Sequence, residues 1–311
     1  MRAFLLTSAA WFVSSVPAFG WGCEGHQIVA LIARAHLTAA ASAAVDRLLT
    51  ENPADPTLNH YCKSADAIAD TASWADEVRN RDKTGPWHYV DIPLTQTRPV
   101  DLEAWCPPIG PSVAGKDRAG CVTNAIEYHW AILLDPSRPG PERANALRYL
   151  IHFVGDMHQP LHSSNNDDQG GNCTAMKFFD LERPANLHTI WDTLLIQREL
   201  AARKETAGEY ALRLDRQFAD RWPAWGTTPV NPAAWAWENN RIAREFTYGE
   251  LKPPIPVEKP NPQADCNAER DKVAALHIVI GDSYYDATIP VVGEQLAKAG
   301  YRLADLLNRT F

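Results

Sequence analysis

The chain has 311 residues, 45% hydrophobic and 22% charged, a globular composition that excludes a disordered or collagen-like polymer. Its 30 Lys+Arg against 38 Asp+Glu give a formal charge of -8, which argues against gripping nucleic acid through a broad basic surface, because that grip needs Lys and Arg to displace phosphate counterions. No apolar run reaches the roughly 18 residues of a membrane-spanning helix, so no membrane anchor is expected.

In chain order, residues 1–20 stand apart. Arg2 precedes an apolar stretch from Ala3 to Val13, and the small residues Ala18 and Gly20 follow. This pattern is a secretory signal peptide, expected to be removed after Gly20 to leave Trp21 as the new N-terminus. A secreted or periplasmic protein follows. The six Cys (Cys23, Cys62, Cys106, Cys121, Cys173, Cys266) all lie beyond this segment. An even count in an exported chain points to disulfides, although six Cys allow about 15 pairings.

Most of residues 21–311 shows helical periodicity. Helices are predicted at Gly25 to Leu37, at Ala39 to Leu49 behind an N-cap at Thr38, and at Ala65 to Arg79. His88 to Pro93 reads as a short extended piece. Thr95 to Arg118 is a Pro- and Gly-rich loop that Cys106 and Cys121 are placed to staple. Helices follow at Val122 to Leu134 and Pro141 to His158, the latter ended by Pro160. Asn165 to Gly171 is a polar loop, and Ala175 to Leu181 is the best short strand or hairpin. Asn186 to Ala202, Ala207 to Phe218, Ala233 to Phe246 and Asp282 to Leu307 complete the helices, the last with Pro290 inside it. Lys252 to Pro262 is a second proline loop. The expected fold is all-α: a single multi-helix domain over 21–311 with a short β-hairpin and long loops.

The chemistry lies in the placing of His and Asp. His152 and Asp156 are four apart on one helix and project from the same face, and His162 follows just past the helix end. Imidazole and carboxylate are ligand types that Zn²⁺ accepts. The spacing recurs at His188 and Asp192, and two such pairs in one chain favour a multi-metal site over a structural His–Asp pair. Asp76 on a helix and His88 on a loop can complete a first metal, or be a solvated helix face and a turn cap. His158 falls on another face of its helix and reads as a helix-end contact or a residue behind the ligands. A free amine at Trp21 has a pKa of about 8 and can chelate with its own carbonyl, with His26 in reach of the same ion. Alternatively, Trp21 is only a packing residue for the first helix.

These residues fall in runs that resemble the secreted zinc-dependent nucleases of the S-one/P-one type, in the superfamily that also holds zinc phospholipase C. The runs are Trp21-Gly-x2-Gly-His26, Trp74-Ala-Asp-x2-Arg79, Trp87-His-Tyr-Val-Asp91, His152-Phe-Val-Gly-Asp-Met-His-Gln-Pro-Leu-His162, Gly170-Gly-Asn172 and Asn186-Leu-His-x2-Trp-Asp192. They keep the family's order and span most of the chain beyond residue 20. The loop after Asp91 is this chain's own, and its Cys pattern matches no family disulfide set we could assign.

The resemblance implies a phospholipase C/P-one nuclease-like fold and three Zn²⁺. One would take Asp76, His88, His152 and Asp156. A second would take the amine and carbonyl of Trp21, with His26 and Asp156. The third would take His162, His188 and Asp192. It implies catalytic roles for Asp76 and for Arg79, which is placed to steady charge on the phosphate. It implies a base pocket from Tyr89, Asp91 and Asn172, in which stacking favours single strands. The implied substrates are single-stranded DNA, RNA and 3′-nucleotides, cut to 5′-phosphorylated products by a monomer. Two rivals share the ligands. A zinc phospholipase C is disfavoured by the short Trp21–His26 spacing, by Asp192 and by Arg79. A non-catalytic secreted zinc-binding protein would need neither Arg79 nor a base pocket.

Overall fold

The computed structural model describes residues 21–311, so the expected signal peptide at 1–20 lies outside the described residues. Helices form at Cys23–Ala35, Ala39–Glu51, Val122–Leu134, Gly140–Asp156, Ala207–Gln217, Pro232–Ile242 and Asp282–Thr310. Local chemistry sets their starts. The Thr38 hydroxyl accepts from the Ala41 N–H at 3.1 Å, and the Asn231 side chain accepts from Ala234 N–H at 3.0 Å. Thr206 and Glu209 cap each other reciprocally. Each device satisfies N–H groups that a first turn leaves without a helical partner. Pro141 stands in the first turn of its helix, where the missing N–H removes no hydrogen bond.

The Cys23–Ala35 helix lies against the C-terminal Asp282–Thr310 helix, and Ile28, Val29, Ile32 and Ala33 are buried on the predicted face. The approach is close at Gly300, where a Cβ would sit 2.6 Å from the Ile32 Cβ. Only glycine lets the two backbones meet there. Buried apolar residues from Trp21 to Leu307 form one continuous core. Disulfides Cys23–Cys62, Cys106–Cys121 and Cys173–Cys266 close spans of 39, 15 and 93 residues, and the second is the expected staple of the proline loop. No helix among the described residues is long and apolar enough to cross a membrane.

Several elements differ from the sequence pattern, and two of the differences build the site. The helix expected over Ala65 to Arg79 is two, Ala67–Asp70 and Trp74–Asp82. At the break the Asp76 N–H bonds to the Ser73 carbonyl at 3.2 Å, which leaves the Ala72 carbonyl for another partner. The helix expected from Asn186 opens into a π turn at Ile190–Leu194 that carries Asp192, before Leu195–Arg203 resumes α geometry. Such turns recur at functional sites. A second π turn, Ala243–Thr247, ends the helix that begins at Pro232. The short hairpin is present as an antiparallel bridge between Met176 and Ala185, and its Lys177–Phe178 segment also pairs in parallel with Val279–Ile280. The Cys266–Ala274 helix has no apolar stripe in its sequence; it is capped by Asp265 and held by the Cys173 disulfide.

Candidate metal centre

Separate segments carry the nine expected metal residues to one place, and all nine are buried. Trp21 and His26 come from the N-terminal helix region, Asp76 from Trp74–Asp82, and His88 from the end of the short turn Gly85–His88. His152 and Asp156 share the Gly140–Asp156 helix, His162 lies in the turn Pro160–Ser163, and His188 and Asp192 flank the entry to the π turn. Gly155 makes room for His26: a Cβ at that position would stand 2.8 Å from its Nδ1.

Asp156 is at the centre. Its Oδ1 is 3.3 Å from His26 Nε2, and its Oδ2 is 3.0 Å from His88 Nδ1 and 3.1 Å from His152 Nε2. Asp76 Oδ1 lies 3.5 Å from His88 Nδ1 and 3.7 Å from His152 Nε2. Farther along, His162 Nε2 and His188 Nε2 are 3.1 Å apart, with Asp192 Oδ2 3.2 Å from His188 Nε2. Three sets have donor atoms within 4.8 Å of one another: His26, Asp76, His152; His88, His152, Asp156; and His162, His188, Asp192. The second and third sets fall within expected groupings, whereas the first joins His26 to Asp76 and His152 rather than to Asp156.

The backbone orients the imidazoles. His152 Nδ1 donates to the Ala72 carbonyl at 2.8 Å, His162 Nδ1 to the His88 carbonyl at 2.7 Å, and His188 Nδ1 to the Gly170 carbonyl at 2.6 Å. A carbonyl only accepts, so each Nδ1 carries its hydrogen and each neutral ring turns an Nε2 lone pair inward. The lone pairs of His162 and His188 then face each other, an arrangement that a cation between them relieves. Both nitrogens of His26, both oxygens of Asp76 and Oδ1 of Asp156 are buried without a hydrogen-bond partner. Buried polar atoms are seldom left so, and convergent N and O donors of this kind suit Zn²⁺.

Electrostatics favour the same use. Burial lowers His26 to a pKa of about 4 and His88 and His188 to about 3, keeping the rings in the neutral form that a metal requires. Burial pushes the Asp76 carboxyl up to about 7. For His152 burial is outweighed by Asp156 and Asp76, which raise it to about 9. Asp156 stays well below the ordinary carboxylate range because His152 and His162 overcome its burial. Among the protein groups alone, a proton on His152 takes the place that a cation would fill between the two carboxylates.

Arg79 is half-buried, and its positive charge bears on Asp76, His88, His162 and His188 together. Tyr89 and Asp91 are half-buried neighbours: burial first, and then the Asp91 charge, hold the Tyr89 phenol above its usual range. Burial, followed by the charge of Asp168, raises Asp91 to about 6. Asn172 donates from Nδ2 to the Gln169 carbonyl of its own loop at 2.9 Å. His158 is a helix-end contact, with Nδ1 on the Val154 carbonyl at 2.7 Å and Nε2 accepting from Arg302 at 2.8 Å.

Two supporting residues escape a search for ligand chemistry because neither can be singled out by side-chain type. Asp168 accepts from the Gly171 N–H at 2.9 Å and the Tyr248 hydroxyl at 2.8 Å, shaping the loop whose Gly170 carbonyl holds His188. Gln159 donates from Nε2 to Asp192 Oδ1, while its Oε1 accepts from the Leu161 N–H at 2.5 Å. It therefore locks Asp192 to the turn of His162. Gln159→Ala is expected to weaken metal binding at the His162–His188–Asp192 set by about 10–100-fold, the usual cost of losing a contact behind a ligand. Competitive zinc titration measures this, and an unchanged affinity would show that Asp192 is positioned without Gln159.

The family model for S1/P1 nuclease matches residues 21–311. The chain is 29% identical to Endonuclease 4 of Arabidopsis thaliana over 312 residues, covering 94% of this chain and 90% of that protein. It is 29% identical to Nuclease S1 of Aspergillus oryzae over 320 residues, covering 99% and 98%. With Nuclease P1 of Penicillium citrinum it shares 29% over 303 residues, covering 93% and 97%. With the family model matched along the whole described chain, over the same residues that build the buried His–Asp cluster, the chain belongs to the S1/P1 nuclease family.

Proposed function

We propose that this chain is a secreted or periplasmic zinc-dependent nuclease that acts as a monomer. It hydrolyses single-stranded DNA and RNA to 5′-phosphorylated products and removes phosphate from 3′-nucleotides. The observation that carries the reading is the gathering of three buried donor sets, two of which share His152. Asp76, His88, His152 and Asp156 would hold one Zn²⁺; the Trp21 amine and carbonyl, His26 and Asp156 a second; His162, His188 and Asp192 a third. Bound there, the ions supply positive charge for a phosphodiester and bring the pKa of water to about 7.

The residues divide the remaining work. Asp156 suits two ions because Oδ1 faces His26 while Oδ2 faces His88 and His152. Asp76 has two oxygens without hydrogen-bond partners, one for a metal and one to orient the attacking water as a base. The Arg79 guanidinium balances charge developing on the phosphate oxygens. The Tyr89 ring stacks on a base, and Asp91 accepts hydrogen bonds from the base edge; Asn172 adds a polar contact. A base must leave its duplex partner to stack in this way, which supports a preference for single strands. Removal of residues 1–20 is part of the proposal, since it frees the Trp21 amine, and it is supported by a family match that begins at Trp21.

The processed protein, with Trp21 confirmed at its N-terminus, is expected to carry three zinc ions and to release 5′-phosphorylated nucleotides from single-stranded DNA and RNA. Metal analysis and product chromatography test this, with phosphatidylcholine as a parallel substrate. Lipid turnover without nucleotide release would instead identify a phospholipase. Three zincs without hydrolysis of any substrate would identify a binding protein.

A further inference from the structure

The Pro232–Ile242 helix carries two consecutive asparagines, Asn239 and Asn240, and both are fully buried. Asparagine is a poor helix former, and burying an amide is costly unless its groups are hydrogen-bonded. Here both side chains donate to backbone carbonyls of the segments that carry the site. Asn239 donates from Nδ2 to the Met157 carbonyl at 2.9 Å, one residue past Asp156. Asn240 donates from Nδ2 to the Ile92 and Ser163 carbonyls at 3.1 Å each, with the Ser164 hydroxyl at 3.3 Å. Ile92 follows Asp91, and Ser163 follows His162.

Asn240 therefore stands across a seam between two distant segments. Along that seam the Val90 N–H donates to the His162 carbonyl at 2.8 Å, the Asn165 N–H to the Ile92 carbonyl at 2.9 Å, and the Leu94 N–H to the Asn165 carbonyl at 3.0 Å. His162 Nδ1 closes one end on the His88 carbonyl at 2.7 Å. A short two-stranded pairing is marginally stable by itself. Asn240 adds a bond to each side of it from a third element. Its orientation is fixed by Arg244, a half-buried residue of the π turn Ala243–Thr247, which donates from Nη1 to Asn240 Oδ1 and, at 3.0 Å, to the Gln96 carbonyl. A guanidinium has no acceptor, so Oδ1 must face Arg244 and the amide N–H groups must face the two carbonyls. Arg244 and Asn240 together grip the 88–96 segment at both Ile92 and Gln96.

We propose that Asn240, held in orientation by Arg244, is a positioning residue that sets the span between the base pocket and the His162–His188–Asp192 set. This rests on the nuclease reading above. Tyr89 and Asp91 belong to one side of the seam and His162 to the other. A nucleotide whose base and phosphate are held at two places gains affinity from their fixed separation, because the second contact forms at a high effective concentration. A loosened seam lowers that gain and leaves each half of the site intact.

The test compares the processed, zinc-loaded enzyme with its Asn240→Asp and Arg244→Ala variants. Asp keeps the shape of Asn240 and the bond to Arg244 but removes the N–H groups. Arg244→Ala removes the orienting contact from a half-buried position, so it decides the matter if Asn240→Asp fails to fold. Both variants are expected to speed hydrogen exchange at the Val90, Leu94 and Asn165 amides by about 10-fold. Both should lower kcat/KM on a 3′-nucleotide by about 10-fold, chiefly through KM, while calorimetry finds the matching nucleoside and inorganic phosphate each bound within about twofold of the unsubstituted enzyme. Unchanged exchange at the seam, or unchanged kcat/KM, overturns the proposal. Equal acceleration of exchange throughout the Gly140–Asp156 helix overturns it in favour of general destabilisation. An equal loss in binding of the nucleoside or of phosphate alone overturns it in favour of a role in one half only. If the unsubstituted enzyme cleaves no 3′-nucleotide, the nuclease reading fails instead, and the exchange result still decides whether Asn240 secures the seam.

Discussion

Asp156→Ala is expected to lower hydrolysis of single-stranded DNA by on the order of 10³-fold or more and to remove at least one zinc. Asp156 presents its two carboxylate oxygens to different imidazoles, His26 on one side and His88 with His152 on the other. Alanine leaves these buried rings without their anion, so metal loss should come with lost stability. Removing one partner of a buried ionic cluster costs roughly 3–5 kcal/mol. The near-isosteric Asp156→Asn separates the two effects: it keeps the packing and removes the charge. Zinc content, thermal unfolding and turnover should be measured together on both variants. A variant that stays active with its full zinc complement would remove Asp156 from the centre of the site.

The second large effect concerns the N-terminus. A chain beginning with Met ahead of Trp21 is expected to lose at least about 100-fold in affinity at the Trp21–His26 position, the upper end of what a lost supporting contact costs. Its activity should fall with that affinity. The reason is both chemical and steric. An added residue turns the Trp21 amine into an amide, which is no longer a basic ligand. Trp21 is also fully buried, and the next N–H, of Gly22, donates to the Asp192 carbonyl at 2.7 Å. That bond ties the start of the chain to the His188–Asp192 segment, so an extension has to be accommodated beside two sets of metal residues. Zinc counting and turnover on processed and extended proteins, with the first residue verified by mass, decide the point. Equal zinc content and activity would take Trp21 off the ligand set.

Much of the site was readable because its chemistry is local in the chain. His152 with Asp156 and His188 with Asp192 announce themselves by a spacing of four, and the turn after Pro160 brings His162 near without knowledge of the fold. Other parts depend on contacts between distant segments. The Ala65 to Arg79 stretch has helical periodicity throughout, yet it breaks at Thr71 to Ser73, and the freed Ala72 carbonyl takes the His152 Nδ1–H. The π turn at Asp192 is likewise invisible to periodicity, since its residues are ordinary helix formers. Gln159 and Asp168 lack ligand spacing, and only the folded chain brings them against Asp192 and the Gly170 loop.

Residue type and spacing alone determined the helical class, most of the long helices and the His and Asp side chains proposed as metal ligands, because propensity, capping and i, i+4 projection act within a few residues. The low positive charge, likewise, was already a statement about mode of binding. On the proposed reading, a chain at -8 would concentrate its grip on phosphate at metals and at Arg79 rather than spread it over a basic face. Tertiary structure decided which donor atoms come together and which ring nitrogen faces inward. Those outcomes depend on carbonyls, glycine clearances and disulfides contributed from far along the chain, and no short-range rule encodes the distances between them.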